Sequence, residues 1–360
     1  MIKNTIIVLI LGVILWIVSG YVARNWSDFE KIWIKPAGIS ETAGVMQAVQ
    51  VPIVKNEPSV SDDDIETNAE QLAREVVVEP EVLTADIKTS EPIPNPTVPI
   101  IEFPKNRIVA FYGNFYSSQM GILGEFSPDD LLGRLRIVAD SWQAIDPSTQ
   151  VIPAIHYIAS TAQPTPSGSG LYTMRMPADQ ILKAILMGTK MEGITILDLQ
   201  AGQANILDEV QRLESYLLLP NVHVGIDPEF LMTDGRVPGE YVGTIDAIQV
   251  NQVVDYLSGL VIANNLPPEI LILHRFTQNM ITNVSQIRQT PQVTTIVEMD
   301  GWGPPELKIA TYRNVITNYN IPYSGFKIFY KNDLRPPSDR LITPAEILQL
   351  DPVPVYIQYQ

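Results

Sequence analysis

The sequence predicts an α/β fold, a TIM-like (β/α)8 barrel over residues 106–360, and three observations carry the prediction. Eight short apolar runs alternate with longer helical patterns from Asn106 onward. The alternation occupies 255 residues, close to the ~250 of a typical barrel of eight such units. Run after run ends, on its C-terminal side, in charged or aromatic residues, where a barrel gathers its functional side chains on one rim. A doubly wound open sheet is the alternative, but its glycine-rich phosphate turn is missing: the first run ends Tyr112-Gly113-Asn114-Phe115, which is not G-x-G-x-x-G.

Two segments precede the barrel. Residues 1–26 read as a transmembrane anchor or signal peptide, because residues 5–23 are an uncharged run of 19, about the ~20 an α-helix needs to cross ~30 Å of hydrocarbon. Tyr21 occupies the position where cleavage needs a small residue, which favours an uncleaved anchor, and Trp16, Tyr21 and Trp26 suit an interfacial belt. Lys3 precedes the span and Arg24, Lys31 and Lys35 follow it, a balance that alone points inward. Long domains translocate largely regardless of such charges, so the expectation is a membrane-anchored barrel outside the cytoplasm, or a secreted one if the segment is cleaved. Residues 27–105 are expected as an acidic, proline-rich disordered linker. Positions 36–105 hold 13 acidic against 4 basic residues, and self-repulsion with proline stiffness keeps such a chain extended.

Composition narrows function. The chain is 46% hydrophobic and 18% charged, ordinary for a globular protein, and its formal charge of -16 excludes the basic surface a nucleic-acid partner needs. With no cysteine, disulfides, thiolate metal sites and cysteine nucleophiles are all excluded.

The strand candidates are residues 107–113, 151–158, 193–199, 222–227, 269–275, 293–299, 325–330 and 354–359. Seven helical patterns lie between them. Ser127-Pro128-Asp129-Asp130 and Thr343-Pro344-Ala345-Glu346 are start signals, with a hydroxyl at the cap, proline in the first turn and an acid at the third position. Residues 203–219 and 244–263 carry apolar positions three and four apart. The chain stops on the eighth strand, so a final helix is expected to be absent. Residues 159–176, rich in Ser, Gly and Pro, are long enough for a lid.

The candidate site centres on N-V-H-V-G-I-D-P-E-F, residues 221–230, whose period of two puts His223, Gly225, Asp227 and Glu229 on one face. A strand that only filled a core would not end in two carboxyl groups, since each charge buried without a partner costs several kcal/mol, of the order expected for ions. The other runs add Tyr112 and Asn114, His156, Asp198 and Gln200, His274 and Arg275, Glu298 and Asp300, Lys331 and Asp333, and Tyr359 to the same rim. Trp302, between Gly301 and Gly303, and Tyr330 are candidate faces for a sugar ring.

Asp227-Pro228-Glu229 after Gly225-Ile226 resembles the end of the fourth-strand acidic motif of chitinase-type barrel glycosidases, and Met299-Asp300 resembles their sixth-strand segment. The resemblance covers about seven residues and implies a glycoside hydrolase, and with the anchor and linker the expectation is action on cell-envelope or extracellular polysaccharide without a cofactor. It lacks the motif's earlier acids and has no tryptophan on the last strand, which leaves substrate-assisted cleavage open. Glycoside cleavage needs one protonated and one ionised carboxyl group. Glu229 is the candidate acid, Asp227 its tuner through like charge, Asp198 or Asp300 the second carboxylate, and Tyr112, His156, His274, Arg275, Trp302 and Tyr330 would hold the sugar. Two other readings stay open. His156, Asp198, Asp227, Glu229 and His274 are ligands a divalent metal would accept, as in a metal-dependent ester or phosphodiester hydrolase, though no H-x-H pair is present. A non-catalytic glycan-binding barrel is the third.

Overall fold

The computed structural model describes Pro99 and residues 101–319 and 322–360. The apolar segment 5–23 and the acidic stretch that follows lie outside the described residues, and so do the expectations of anchor, linker and orientation. Among the described residues no helix is long and apolar enough to cross a membrane.

Eight parallel strands close into a barrel: β1 (Asn106–Gly113), β2 (Gln150–Ala162), β3 (Ile194–Leu199), β4 (Val222–Ile226), β5 (Glu269–Arg275), β6 (Val293–Met299), β7 (Ser324–Ile328) and β8 (Tyr356–Tyr359). Each strand pairs with the next in chain order, and the ring closes on β1, where Tyr112 lies beside His156 of β2 and Ala110 beside Gln358 of β8. That closure rules out the open doubly wound sheet.

Strand alternation then sorts the side chains. The inward set Ile108, Ala110, Ile152, Ala154, Ile194, Ile196, Ile270, Ile272 and Ile296, with Tyr356, fills the barrel interior. The outward set, including Phe111, Leu197, Leu271 and Phe326, packs against surrounding helices in a larger core. Two residues beyond the inner isoleucine and alanine positions, the same inward face carries Tyr112, His156, Asp198, His274 and Glu298, joined by Lys327 and Gln358 from β7 and β8. The floor of the barrel is hydrocarbon and the layer above it is ionic.

Among the described residues the α-helices are α1 (Pro128–Ile145), α2 (Ala178–Lys190), α3 (Ile206–Gln211), α4 (Glu214–Leu217), α5 (Ala247–Asn264), α6 (Pro305–Val315) and α7 (Pro344–Ile347). Both start signals read from sequence are made: Ser127 accepts from the Asp130 N–H, and Thr343 and Glu346 form a reciprocal capping box. Such a cap stabilises a helix by ~1 kcal/mol. Three details differ from expectation. The pattern over 203–219 divides into α3 and α4. The connection from β5 to β6 holds, in place of an α-helix, two 3-10 turns, Gln278–Met280 and Val284–Gln286, and the two-residue strand Ile281–Thr282. There the Arg275 guanidinium takes the carbonyls of Gln278 and Ile281, which an α-helix would need for its own ladder. Finally, the segment expected as a lid is largely pinned. β2 runs on to Ala162 and pairs antiparallel with Thr173–Arg175, and the tip docks on the turn after β3, where Leu171 O accepts from Gln203 N–H at 2.8 Å. Gly202 permits that approach, with φ of 59° and Tyr172 O only 2.4 Å from where a Cβ would stand.

Candidate active site

At the C-terminal mouth of the barrel the inward ionic layer forms one connected cluster. His274 is its hub: Nε2 lies 3.3 Å from Asp198 Oδ1, and Nδ1 lies 2.9 Å from Asp300 Oδ2 and 3.1 Å from Glu298 Oε2. His156 Nε2 approaches the same Asp198 oxygen at 3.3 Å, while Tyr112 donates its hydroxyl to Asp198 Oδ2 at 3.1 Å. Lys327 reaches Asp300 with Nζ 3.0 Å from Oδ1, and its ammonium stands 4.0 Å over the Tyr112 ring. Tyr356 and Gln358 hold His156 Nδ1 from behind, at 2.5 and 2.7 Å.

Packing inside the barrel depends on a missing side chain. Gly225 on β4 faces this cluster, and a Cβ there would stand 2.5 Å from both Asp198 Oδ1 and His156 Nε2. Any larger residue would displace one of them. Two residues on, Asp227 ends the strand, caps the short turn Pro228–Phe230, and accepts the Glu229 N–H at 3.1 Å. The proline that looks unsuited to a strand end begins this turn, which aims Glu229 over the mouth.

The carboxyl groups divide by environment. Burial, with the charges of Asp227 and Asp300 beside it, pushes Glu229 up to about 8. Burial raises Asp227 to about 7, with Asp198 and Asp300 adding to the rise. Glu298, fully enclosed, is raised by burial to about 8 despite His274 and Lys327. Asp198 and Asp300 go the other way. Burial opposes their ionisation, but His274 and His156 hold Asp198 well below the usual range, and Lys327 and His274 hold Asp300 below it. Between the histidines the split is equally sharp: burial lowers His156 to about 4, whereas the Asp198 and Glu298 carboxylates overcome burial and raise His274 well above its ordinary value.

Accessibility separates the carboxyls again. Glu229 keeps a partly exposed edge and Asp300 is 8% exposed, while Asp198 is 0% exposed. Asp198, read from sequence as a possible second carboxylate, is a support of the mouth with Tyr112 and two imidazoles on its oxygens.

Other expected site residues lie elsewhere. Arg275, one residue past His274, faces outward by strand parity; it donates to Val315 O at 2.7 Å and stacks 4.2 Å from the Tyr319 ring centre. Tyr330 stacks on Tyr359 at 5.2 Å, and Tyr359 accepts from Trp142 Nε1, so both belong to the outer layer. Lys331 pairs with Glu125 at the surface, and Asp333 pairs with the buried Lys308. Asn114 donates to Ile158 O as a structural tie. Trp302 is exposed on its glycine turn with the Arg335 guanidinium 5.5 Å from its ring centre. His223 lies further down the β4 inward face, 3.4 Å from Glu269 at the strand starts.

Sequence reasoning missed Lys327, Tyr356 and Gln358. The signal was available: in G-F-K-I and Y-I-Q-Y the polar residue falls two positions beyond Gly325 or Tyr356, on the face that points inward. Reading only the last residue of each run selected Tyr330 and Tyr359 instead.

No known protein family matches the sequence, and no curated protein matches it. Solved structures are similar at low identity. A spore coat polysaccharide biosynthesis protein of Bacillus subtilis is 10% identical, with a TM-score of 0.37 over 71% of this chain and 59% of that one. This chain therefore spans under two thirds of that protein's length. A Bacillus subtilis mannanase is 14% identical, with a TM-score of 0.36 over 71% of this chain and 80% of its own. A ruminal endo-beta-1,4-mannanase is 10% identical, with a TM-score of 0.33 over 71% of this chain and 59% of its own.

Proposed function

We propose that the barrel mouth hydrolyses glycosidic bonds, with Glu229 as general acid and Asp300 as the ionised partner. One observation carries the reading: two carboxyl groups of one mouth are driven to opposite protonation states near neutral pH, and the protonated one keeps an edge to solvent. Glu229 gives its proton to the leaving glycosidic oxygen as the bond to the anomeric carbon breaks. Asp300, fixed by Lys327 and His274, offsets the positive charge that develops on the sugar, either directly or by directing the incoming water. Asp227 orients the Glu229 turn and raises its pKa through like charge. Trp302 offers an exposed face for a sugar ring.

The ligand is a polysaccharide of the cell envelope or its surroundings. The apolar segment 5–23 and the acidic stretch after it support a tether that holds the barrel outside the membrane. Protease treatment of intact cells tests that arm: digestion of the barrel only after lysis would contradict it.

The catalytic arm is tested by release of reducing ends from a panel of polysaccharides. Removing a general acid typically costs ~10²–10⁴-fold in rate, so Glu229→Gln should lose turnover on that scale while remaining folded. Turnover should rise with Asp300 ionisation and fall as pH passes through about 8, where Glu229 loses its proton. Glycan retention without any turnover by the wild-type protein would replace the enzyme with a binding barrel.

A further inference from the structure

Beneath Glu229 three buried polar atoms converge without a hydrogen-bond partner among the described residues: His156 Nε2, Asp198 Oδ1 and His274 Nε2. The two imidazole nitrogens each lie 3.3 Å from the carboxylate oxygen, and the three residues offer one donor atom apiece, all within 4.8 Å of one another. Buried polar atoms are otherwise almost always paired, so three orphans aimed at one point need an explanation.

From this geometry we infer a binding site for one divalent first-row transition-metal ion, of the zinc type, held by His156 Nε2, Asp198 Oδ1 and His274 Nε2. Tetrahedral ligands at ~2.0–2.1 Å from zinc stand ~3.3–3.4 Å apart, which is the spacing of both nitrogens from the oxygen. Two imidazoles and one carboxylate suit zinc, iron, cobalt or nickel, whereas calcium and magnesium take shells of oxygen.

The far side of each ligand is tied down, as metal sites require. Asp300 accepts from His274 Nδ1–H, the Tyr356 hydroxyl, itself held by the Gln358 amide, accepts from His156 Nδ1–H, and Tyr112 donates to the second Asp198 oxygen. In each ligand one atom is occupied and the other is turned inward. Gly225 opens the facing wall, since a Cβ there would come within 2.5 Å of two of the three donor atoms. The site lies under the glycosidase reading and does not depend on it.

Zinc titration of the chelator-treated full chain tests the inference. Calorimetry should show one equivalent of Zn2+ per chain, with a matching rise in Tm. Its affinity should drop at least 100-fold in His156→Gln and in His274→Gln. Glu229→Gln should bind Zn2+ like wild type even if it hydrolyses nothing, so the two readings can fail separately. Should the histidine variants not fold, wild-type protein with Co2+ decides: paramagnetically shifted proton signals from two imidazole rings support the site, and signals from one or none overturn it. Absence of Zn2+ uptake by wild type, or unchanged affinity in folded histidine variants, also overturns it.

Discussion

Two buried lysine–aspartate pairs, Lys308–Asp333 and Lys327–Asp300, have similar lengths, 2.9 and 3.0 Å, and opposite meanings. Around Lys308 every charge is answered. Asp333 accepts from the Gly303 and Phe329 N–H groups as well as from the lysine, and Lys308 also donates to Gly301 O. That pair fastens the loop after β6 to the loop after β7. Around Lys327 the acids outnumber the cations, Glu298 keeps both oxygens without a hydrogen bond among the described residues, and His274 is shared by three carboxylates. Burial lowers the Lys308 ammonium even beside Asp333, whereas Asp300, Glu298 and Asp227 outweigh burial and raise Lys327. A closed pair is architecture; an over-subscribed one marks the place where the protein keeps capacity for a proton, an ion or a ligand.

Breaking the closed pair should have the largest effect on stability. Asp333→Ala leaves Lys308 charged and buried, which costs ~3–5 kcal/mol, and each kcal/mol moves Tm by about 2–4 °C in a domain of this size. Thermal melting should therefore show a drop of about 6–20 °C, with turnover per folded molecule unchanged at low temperature. Removing the cation of the open pair should act on activity instead. In Lys327→Met the Asp300 carboxyl loses the charge that holds it low, so the acid limb of the pH–rate profile should move to higher pH, with turnover reduced ~10–100-fold (~1.4–2.7 kcal/mol). An unchanged profile would make the two pairs equivalent.

The outward neighbour gives a smaller contrast. Arg275→Met removes three hydrogen bonds to main-chain carbonyls and should cost a few times the ~0.5–1.5 kcal/mol of a typical bond, with KM and the pH profile unmoved; a shifted KM would return Arg275 to the site.

The raised carboxyl predicts a pH signature of its own. Glu229 binds its proton more tightly folded than unfolded, so its contribution to stability is present at low pH and is lost as pH rises from the ordinary glutamate range through about 8. Glu229→Gln should therefore melt level with wild type at pH 5 and several degrees above it at pH 9. Trp302→Ala, at an exposed position, should change stability by no more than ~0.5 kcal/mol, and its effect should appear in KM for polysaccharide.

These contrasts also show where sequence was informative. The strands could be read because each is a short apolar run bounded by turn residues, and closure followed from their number and spacing. Helix starts at Ser127 and Thr343 were legible because capping is local. The missing helix after β5 was not, since the Arg275 guanidinium that claims its carbonyls acts through tertiary position. Within the site, Asp198, Asp227, Glu229, His156, His274 and Asp300 could be found as strand-end polar residues. Arg275 and Tyr330 were placed in the mouth because ends were counted without parity, and Lys327 and Gln358 were passed over for the same reason. The role of Gly225 was invisible, because its importance lies in what two other strands bring against it.

The proposed mechanism requires one mouth to hold a protonated carboxyl group at Glu229 beside an ionised one at Asp300. Carbon-13 NMR titration of side-chain carboxyl signals in the folded full chain, with the Glu229 resonance assigned by its loss in Glu229→Gln, measures this directly. A midpoint near 8 is expected for Glu229; a midpoint in the ordinary glutamate range, about 4.3, would rule out the proposed acid.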